Sequence, residues 1–237
     1  MKIALLGYGK MGKEIEKISL ERGHTISLIK DKNDNIKSIK GSDVAINFST
    51  PDSAVSNIKL ALESSVPVVS GTTGWLDHYN EIVNYSKKTK TSFIYSSNYS
   101  LGVNLFFELN KKLTKLLSNH NDYKIFVQEI HHKEKLDKPS GTALTLIDDI
   151  IKNSDYEGWT FEKSKNKIVR IESLRENNVP GIHKINYDSD IDSIEIKHTA
   201  HSRKGFALGA VVAAEWIINK QGVFNMSDII NDSSFKL

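Results

Sequence analysis

Lys2-Ile3-Ala4-Leu5-Leu6, followed at once by Gly7-Tyr8-Gly9-Lys10-Met11-Gly12, is the stretch that decides the fold. The first five residues form a short apolar run, which suits a buried parallel strand. Met11, Ile15 and Ile18 then recur at helical spacing with charged residues between them. Glycines let a backbone turn tightly and approach a pyrophosphate, and a helix N-terminus supplies free N–H donors. The segment therefore predicts the start of a dinucleotide-binding unit, with Gly7, Gly9, Lys10, Met11 and Gly12 at the cofactor. The plainer alternative is an ordinary glycine turn between strand and helix.

Working outward, Gly23 is expected to end the helix and Thr25–Ile29 to form the next strand. Further strands are predicted at Val44–Phe48, Pro67–Ser70 and Ser92–Tyr95, with helices at Pro51–Ser64 and Leu76–Lys88. Strands alternating with helices predict a parallel sheet covered on both faces. Asp31 lies at the end of the second strand, about twenty residues beyond the glycines, where an acid can bind the adenosine ribose. Lys30 and Lys32 flank it. An acid alone favours NAD and an adjacent cation can meet the 2′-phosphate of NADP, so both NADH and NADPH stay open; the two lysines also fit a plain charged turn. Gly71-Thr72-Thr73-Gly74 and Ser96-Ser97-Asn98-Tyr99-Ser100 leave later strand ends, where loops of an open parallel sheet line the ligand crevice. As plain turns they are unremarkable.

From about residue 100 the rhythm changes. A helix is predicted at Val103–Leu117, a strand at Lys124–His131 and a helix at Thr142–Ile151. Strands follow around Lys167–Leu174, Gly181–Tyr187 and Ser193–His198. Long strands in succession predict a second, α+β unit. The small-residue-rich apolar segment Ala207–Ile218 reads as a helix that returns to the first unit. The fold class is thus α/β: a Rossmann-type parallel-sheet nucleotide domain at 1–102 and 203–237, and an α+β domain at 103–202.

The chain has 237 residues, no cysteine and a formal net charge of +3. Disulfides, thiol nucleophiles and Cys-ligated zinc are excluded. No basic stripe with interleaved aromatics suggests nucleic acid. Met1 leads within two residues into a strand, leaving no room for a signal peptide. The longest apolar runs fall far short of the roughly 20 residues that span a bilayer. A cytoplasmic protein with neither a nucleic-acid nor a membrane partner is expected.

Glu129-Ile130-His131-His132-Lys133-Glu134-Lys135-Leu136-Asp137-Lys138-Pro139-Ser140-Gly141-Thr142-Ala143 carries the chemistry. Two histidines, a lysine and a Ser-Gly-Thr turn opening a helix sit within fifteen residues. A helix N-terminus is an anion site, and a neighbouring ammonium strengthens it. An imidazole titrating near neutrality is a natural proton donor. Adjacent histidines can also ligate a metal, but neither cysteine nor a helical H-x-x-x-H spacing supports one, and no metal is expected. A solvated polar loop is the bland alternative.

This stretch resembles the signature of the dihydrodipicolinate reductase family, E-x-H-H-x-x-K-x-D-x-P-S-G-T-A, at every fixed position. The Gly7–Gly12 loop, Gly71-Thr72-Thr73, Ser97-Asn98-Tyr99-Ser100 and Ser202-Arg203 look like its further landmarks, in order. The resemblance implies that His131 exchanges the proton and that Lys135 is a second catalytic donor. It implies that His132, Ser140, Gly141 and Thr142 contact substrate carboxylates. Gly7, Met11, Gly12, Asp31, Lys32, Gly71, Thr73, Ser96 and Asn98 would contact NADH or NADPH, joined by the neighbouring Thr72, Ser97 and Tyr99. It also implies a small dicarboxylate substrate and a homotetramer assembled through the second domain's sheet. An amino-acid dehydrogenase such as an aspartate dehydrogenase is the nearest rival, but leaves the His-His-Lys and Ser-Gly-Thr combination unexplained. A non-catalytic dinucleotide sensor would need no proton donor beside an anion site.

Overall fold

The computed structural model describes residues 1–120, 122–163, 167–202 and 204–235. The chain divides into two units, Met1–Asn104 with Lys204–Leu237, and Leu105–Arg203. Arg203, read above as a family landmark, lies outside the described residues.

In the first unit β1 (Lys2–Leu6) is buried from its second residue onward, as a central parallel strand with apolar side chains on both faces must be. Around it run α1 (Lys10–Glu21), β2 (Thr25–Lys30), β3 (Val44–Asn47), α2 (Pro51–Glu63), β4 (Val68–Ser70), α3 (Tyr79–Thr89) and β5 (Phe93–Tyr95). All described pairings in the sheet are parallel, and its order is β2-β1-β3-β4-β5-β11, where β11 is Val223–Phe224. The chain moves from β1 to one side and then, with β3, to the other. The carboxyl ends of β1 and β3 are therefore the switch point at which open α/β sheets bind ligands. Pro51 starts α2 behind a capping box between Thr50 and Ser53. Helix α6 (Lys204–Ile217) joins Ile3, Leu5, Val44 and Ile46 in this unit's core through its alanines and valines. A final short helix, α7, spans Met226–Ile230.

The predicted helix at 76–88 is instead a 3-10 turn, Leu76–His78, followed by α3. Trp75 is buried and its indole N–H donates to the Thr72 carbonyl at 2.6 Å, anchoring the chain just before the turn and tightening its first residues. The two-residue β11, the three-residue β7 (Gly158–Thr160) and α7 were not predicted, being too short to show a period.

In the second unit, α4 (Leu101–Leu117, begun in the first unit) and α5 (Gly141–Asn153) cover one face of a five-stranded mixed sheet. Its order is β10-β9-β6-β8-β7, with β6 Lys124–His132, β8 Ile168–Glu176, β9 Gly181–Asp188 and β10 Ser193–Ala200. β6 runs parallel to β8 and antiparallel to β9. Every second residue of β6 is buried: Ile125, Val127, Glu129 and His131 point inward. The first two pack with Ile171, Ile185, Leu146 and Ile147. The last two make the upper end of that face polar. Among the described residues no helix is long and apolar enough to cross a membrane.

Candidate functional site

In the first unit, Gly7, Gly9, Asp31 and Lys32 line one cleft of about 230 Å³, together with Tyr8, Lys30 and the Phe48–Thr50 turn after β3. Gly7, Gly9 and Gly12 stand at the full G-x-G-x-x-G spacing. Gly7 has φ +103°, and a Cβ there would lie on the Phe48 carbonyl oxygen. A Cβ on Gly12 would meet the Gly7 carbonyl oxygen, so helix and turn pack as closely as the motif requires. At Gly9 an added Cβ meets nothing within 4 Å, which leaves open space beside the backbone. Gly9 is also the N-cap of α1 and supplies no side-chain cap, while Lys10 puts a cation in the first turn. A cation there opposes the helix dipole, and an anion relieves both the dipole and the unpaired N–H groups. These features fit a dinucleotide pyrophosphate.

Other residues expected at the cofactor are placed differently. Tyr99 is 1% exposed, its ring packs on Phe48 at 5.7 Å, and its hydroxyl donates to the Ser70 carbonyl at 3.0 Å. Thr72 is 5% exposed and its hydroxyl oxygen accepts the Ser49 N–H at 2.9 Å. The Tyr99 ring lies in the core, and the Thr72 hydroxyl braces the turn after β3. Asn98 turns its amide oxygen to the Ser100 N–H at 2.9 Å, and Ser96 bonds the Asn98 backbone, so this loop is internally braced. Met11 packs against the core, Gly71 lies against the Phe48 ring, and Lys10, Thr73 and Ser97 are exposed.

In the second unit the polar end of β6 is organised by Glu129, which the sequence reading did not single out. Its carboxylate is wholly buried. Oε1 accepts the Ser140 N–H at 3.0 Å and the Ser173 hydroxyl at 2.7 Å, and Arg175 lies 3.7 Å from it. Oε2 is 3.5 Å from His131 Nδ1 and 3.7 Å from His183 Nε2. Strand register explains the cluster: Glu129 pairs with Ser173 on β8 and His183 on β9, and His131 pairs with Arg175. Glu129, His131 and His183 bring three ligand-type atoms within 4.8 Å of one another. The donors already on the carboxylate and the guanidinium beside it make this a hydrogen-bonded network and oppose a cation.

Burial pushes the His131 imidazole below its usual value; Glu129 opposes this, while Lys135 and Arg175 add to it. Burial, helped by His131, drives His183 down to about 3, so it is neutral at any working pH. Arg175 pins the following loop by donating to the carbonyls of Lys135 at 3.1 Å and Asp137 at 2.6 Å. Lys135 Nζ bonds both Asp137 oxygens, at 2.8 and 2.9 Å, which holds that carboxyl below its usual range. Ser140 caps α5 by accepting the Ala143 N–H at 3.2 Å. The first-turn N–H groups at Gly141 and Thr142 have no partner within a helix by construction. His131, Lys135, Ser140, Gly141 and Thr142 thus gather about the end of β6 and the start of α5. His132 does not join them: consecutive strand residues face opposite ways, and its Nδ1 lies 2.9 Å from Glu134.

A glycine-turn nucleotide cleft at a sheet switch point and a buried histidine beside a lysine and a helix N-terminus define the class, a two-unit oxidoreductase of Rossmann type. The family model of the dihydrodipicolinate reductase N-terminus matches residues 1–99, and that of its C-terminus residues 102–230. A 4-hydroxy-tetrahydrodipicolinate reductase of Christiangramia forsetii is 50% identical over 236 residues, covering 98% of each chain. One of Thermosipho africanus is 38% identical over 236 residues, covering 98% of this chain and 99% of its own. A solved structure, described as dipicolinate-bound dihydrodipicolinate reductase from Paenisporosarcina sp. TG-14, matches with a TM-score of 0.79. It covers 97% of this chain and 99% of its own at 19% identity, and speaks for the fold alone. The chain belongs to the dihydrodipicolinate reductase family.

Proposed function

We propose that this chain reduces 4-hydroxy-tetrahydrodipicolinate, which loses water to give the conjugated imine dihydrodipicolinate, to tetrahydrodipicolinate with NADH or NADPH, a step of diaminopimelate and lysine biosynthesis. The first unit holds the dinucleotide. The second holds the dicarboxylate and assembles a homotetramer through its sheet, in the cytoplasm. The observation that carries the reading is the buried His131, backed by Glu129, beside the Lys135 ammonium and the free N–H groups of α5. When bound, the cofactor supplies a hydride from nicotinamide C4 to the conjugated cyclic imine. His131 holds the proton that the ring collects as charge develops on it. Lys135 and the α5 N–H groups bind and orient the carboxylates, which supplies proximity and electrostatic stabilisation. Lys135 must share or leave Asp137 to do so. Oxidation of NADH and NADPH in the presence of enzymatically generated substrate tests the proposal; binding of cofactor without turnover would point to a sensor.

Both cofactors should be used within roughly one or two orders of magnitude, because Asp31 and Lys32 line the same cleft. Asp31→Ala should weaken NADH more than NADPH, and Lys32→Ala should do the reverse. Equal losses for both cofactors in each variant, measured as KM ratios, would show that neither residue reads the 2′ position.

A planar pyridine dicarboxylate should inhibit competitively with substrate, since the anion groups lie in the second unit. It should bind more tightly when NADH is present. Competition with the cofactor instead would place the anion site on the wrong unit.

A further inference from the structure

The proton inventory around His131 identifies a residue that acts on the chemistry through another. We infer that Glu129 is a positioning residue that holds His131 in its Nδ1–H form, so that Nε2 is the nitrogen that exchanges the proton with substrate. The catalytic consequence rests on the proposed role of His131; the tautomer itself does not.

The assignment follows by counting donors. The Ser140 hydroxyl accepts the Ala143 N–H and lies 3.2 Å from His183 Nε2, and in the inferred network it gives its proton to that nitrogen. His183 is neutral, and a nitrogen that accepts cannot also donate to Glu129. Glu129 Oε1 is filled by Ser140 N–H and Ser173 O–H. Oε2 receives only the longer half of the Ser140 N–H bond, at 3.2 Å, and faces His131 Nδ1. That nitrogen is buried and, among the described residues, makes no hydrogen bond; Glu129 Oε2, 3.5 Å away, is the acceptor it faces. A buried N–H or lone pair without a partner is costly, and a carboxylate can satisfy only the N–H. Nε2 then lies on the other side of the ring, where Gly181 leaves room: an added Cβ would sit 3.3 Å from it. The partner that one ring nitrogen faces sets which form the other takes, and β6 places Glu129 and His131 two residues apart on one face.

The charged and titratable groups facing the ring come from every neighbouring element. They are Glu129 on β6, Lys135 and Asp137 in the loop after it, Arg175 on β8 and His183 on β9. Glu129 and Asp137 favour the imidazolium; burial, Lys135 and Arg175 disfavour it. Removing the Glu129 charge therefore shifts His131 further down.

Long-range ¹H–¹⁵N spectra of the histidine side chains decide the tautomer in the wild-type protein, without substrate. The expected result is a pyridine-like Nε2 and a pyrrole-like Nδ1 for His131 above its titration. In Glu129→Gln the amide oxygen can keep Ser140 and Ser173 while the NH₂ faces Nδ1, so the pattern should invert. The kcat should fall by on the order of tenfold or more, and the alkaline limb of the rate profile should move to lower pH. A merely structural role would leave tautomer and limb in place. A pyrrole-like Nε2 in the wild-type protein overturns the inference, as does an unchanged pattern in Glu129→Gln. Should Glu129→Gln fail to fold, the wild-type spectrum decides the tautomer by itself. Absence of turnover with a pyridine-like Nε2 would refute the proposed reaction and leave the tautomer assignment standing.

Discussion

Replacing His131 with glutamine should lower kcat by on the order of 10²-fold while KM changes far less. The reason is timing. Charge that a proton donor can meet appears on the substrate ring only as hydride arrives, so the imidazole is felt mainly in the transition state, and loss of such an interaction lowers kcat. The surroundings also set a pH dependence. Burial holds His131 below the usual histidine value, and the Lys135 and Arg175 charges push the same way. A reaction that needs the imidazolium loses rate as pH rises through that depressed value. Bound dicarboxylate adds negative charge near the ring, and an opposite charge favours the charged form. The limb seen in kcat, which reports the complex, should therefore lie at higher pH than the limb seen in kcat/KM, which reports the free enzyme. Near-normal kcat in His131→Gln would mean that the proton comes from water or another group.

Lys135→Ala should harm both constants, raising KM and lowering kcat. The ammonium meets carboxylates that are charged before reaction begins, and its charge also stabilises the ring as it gains electrons. Thr142→Val should chiefly raise KM, and by less, because a charge-assisted hydrogen bond is worth about twice a neutral one. The Asp137 carboxylate gives a further check. In the resting protein it holds Lys135 through both oxygens, so under the proposed role it would compete with substrate for the same cation. A Lys135→Ala variant with unchanged KM would show that Lys135 stays with Asp137 throughout. Steady-state kinetics on variants verified to bind NADH separate these outcomes.

Much of this was legible before the structure. The β1–α1 turn shows in one apolar run, three glycines and a helical repeat, because local geometry alone demands them. The change from βα alternation to long strands near residue 100 gave the second unit's class. The His131–Lys135–Ser140 cluster was also readable, since its members lie close in the chain. The partners of Glu129 were not. Ser173 is 44 residues away, Arg175 and His183 lie on separate strands, and only sheet register brings them to β6. Glu129 itself stands at a fixed position of the signature, and its two-residue spacing from His131 on a predicted strand was the signal that could have found it. Tyr99 erred the other way. Flanked by serines and an asparagine, it reads as part of a loop lining the ligand crevice, yet the ring packs in the core with α6 and its hydroxyl donates to a β4 carbonyl. His132, expected at the substrate carboxylates, is turned away from His131 by strand alternation.

The central claim is that this chain moves hydride from nicotinamide C4 to the cyclic imine dicarboxylate, and the most direct measurement follows that hydride. Cofactor deuterated at C4 on the transferred face, NADH and NADPH in turn, is incubated with enzymatically generated 4-hydroxy-tetrahydrodipicolinate, and the product is weighed by mass spectrometry. The predicted result is tetrahydrodipicolinate carrying the deuterium, formed in step with loss of reduced cofactor, and formed about 10²-fold more slowly by His131→Gln. Reduced cofactor that stays intact, or a product without deuterium, would contradict the account.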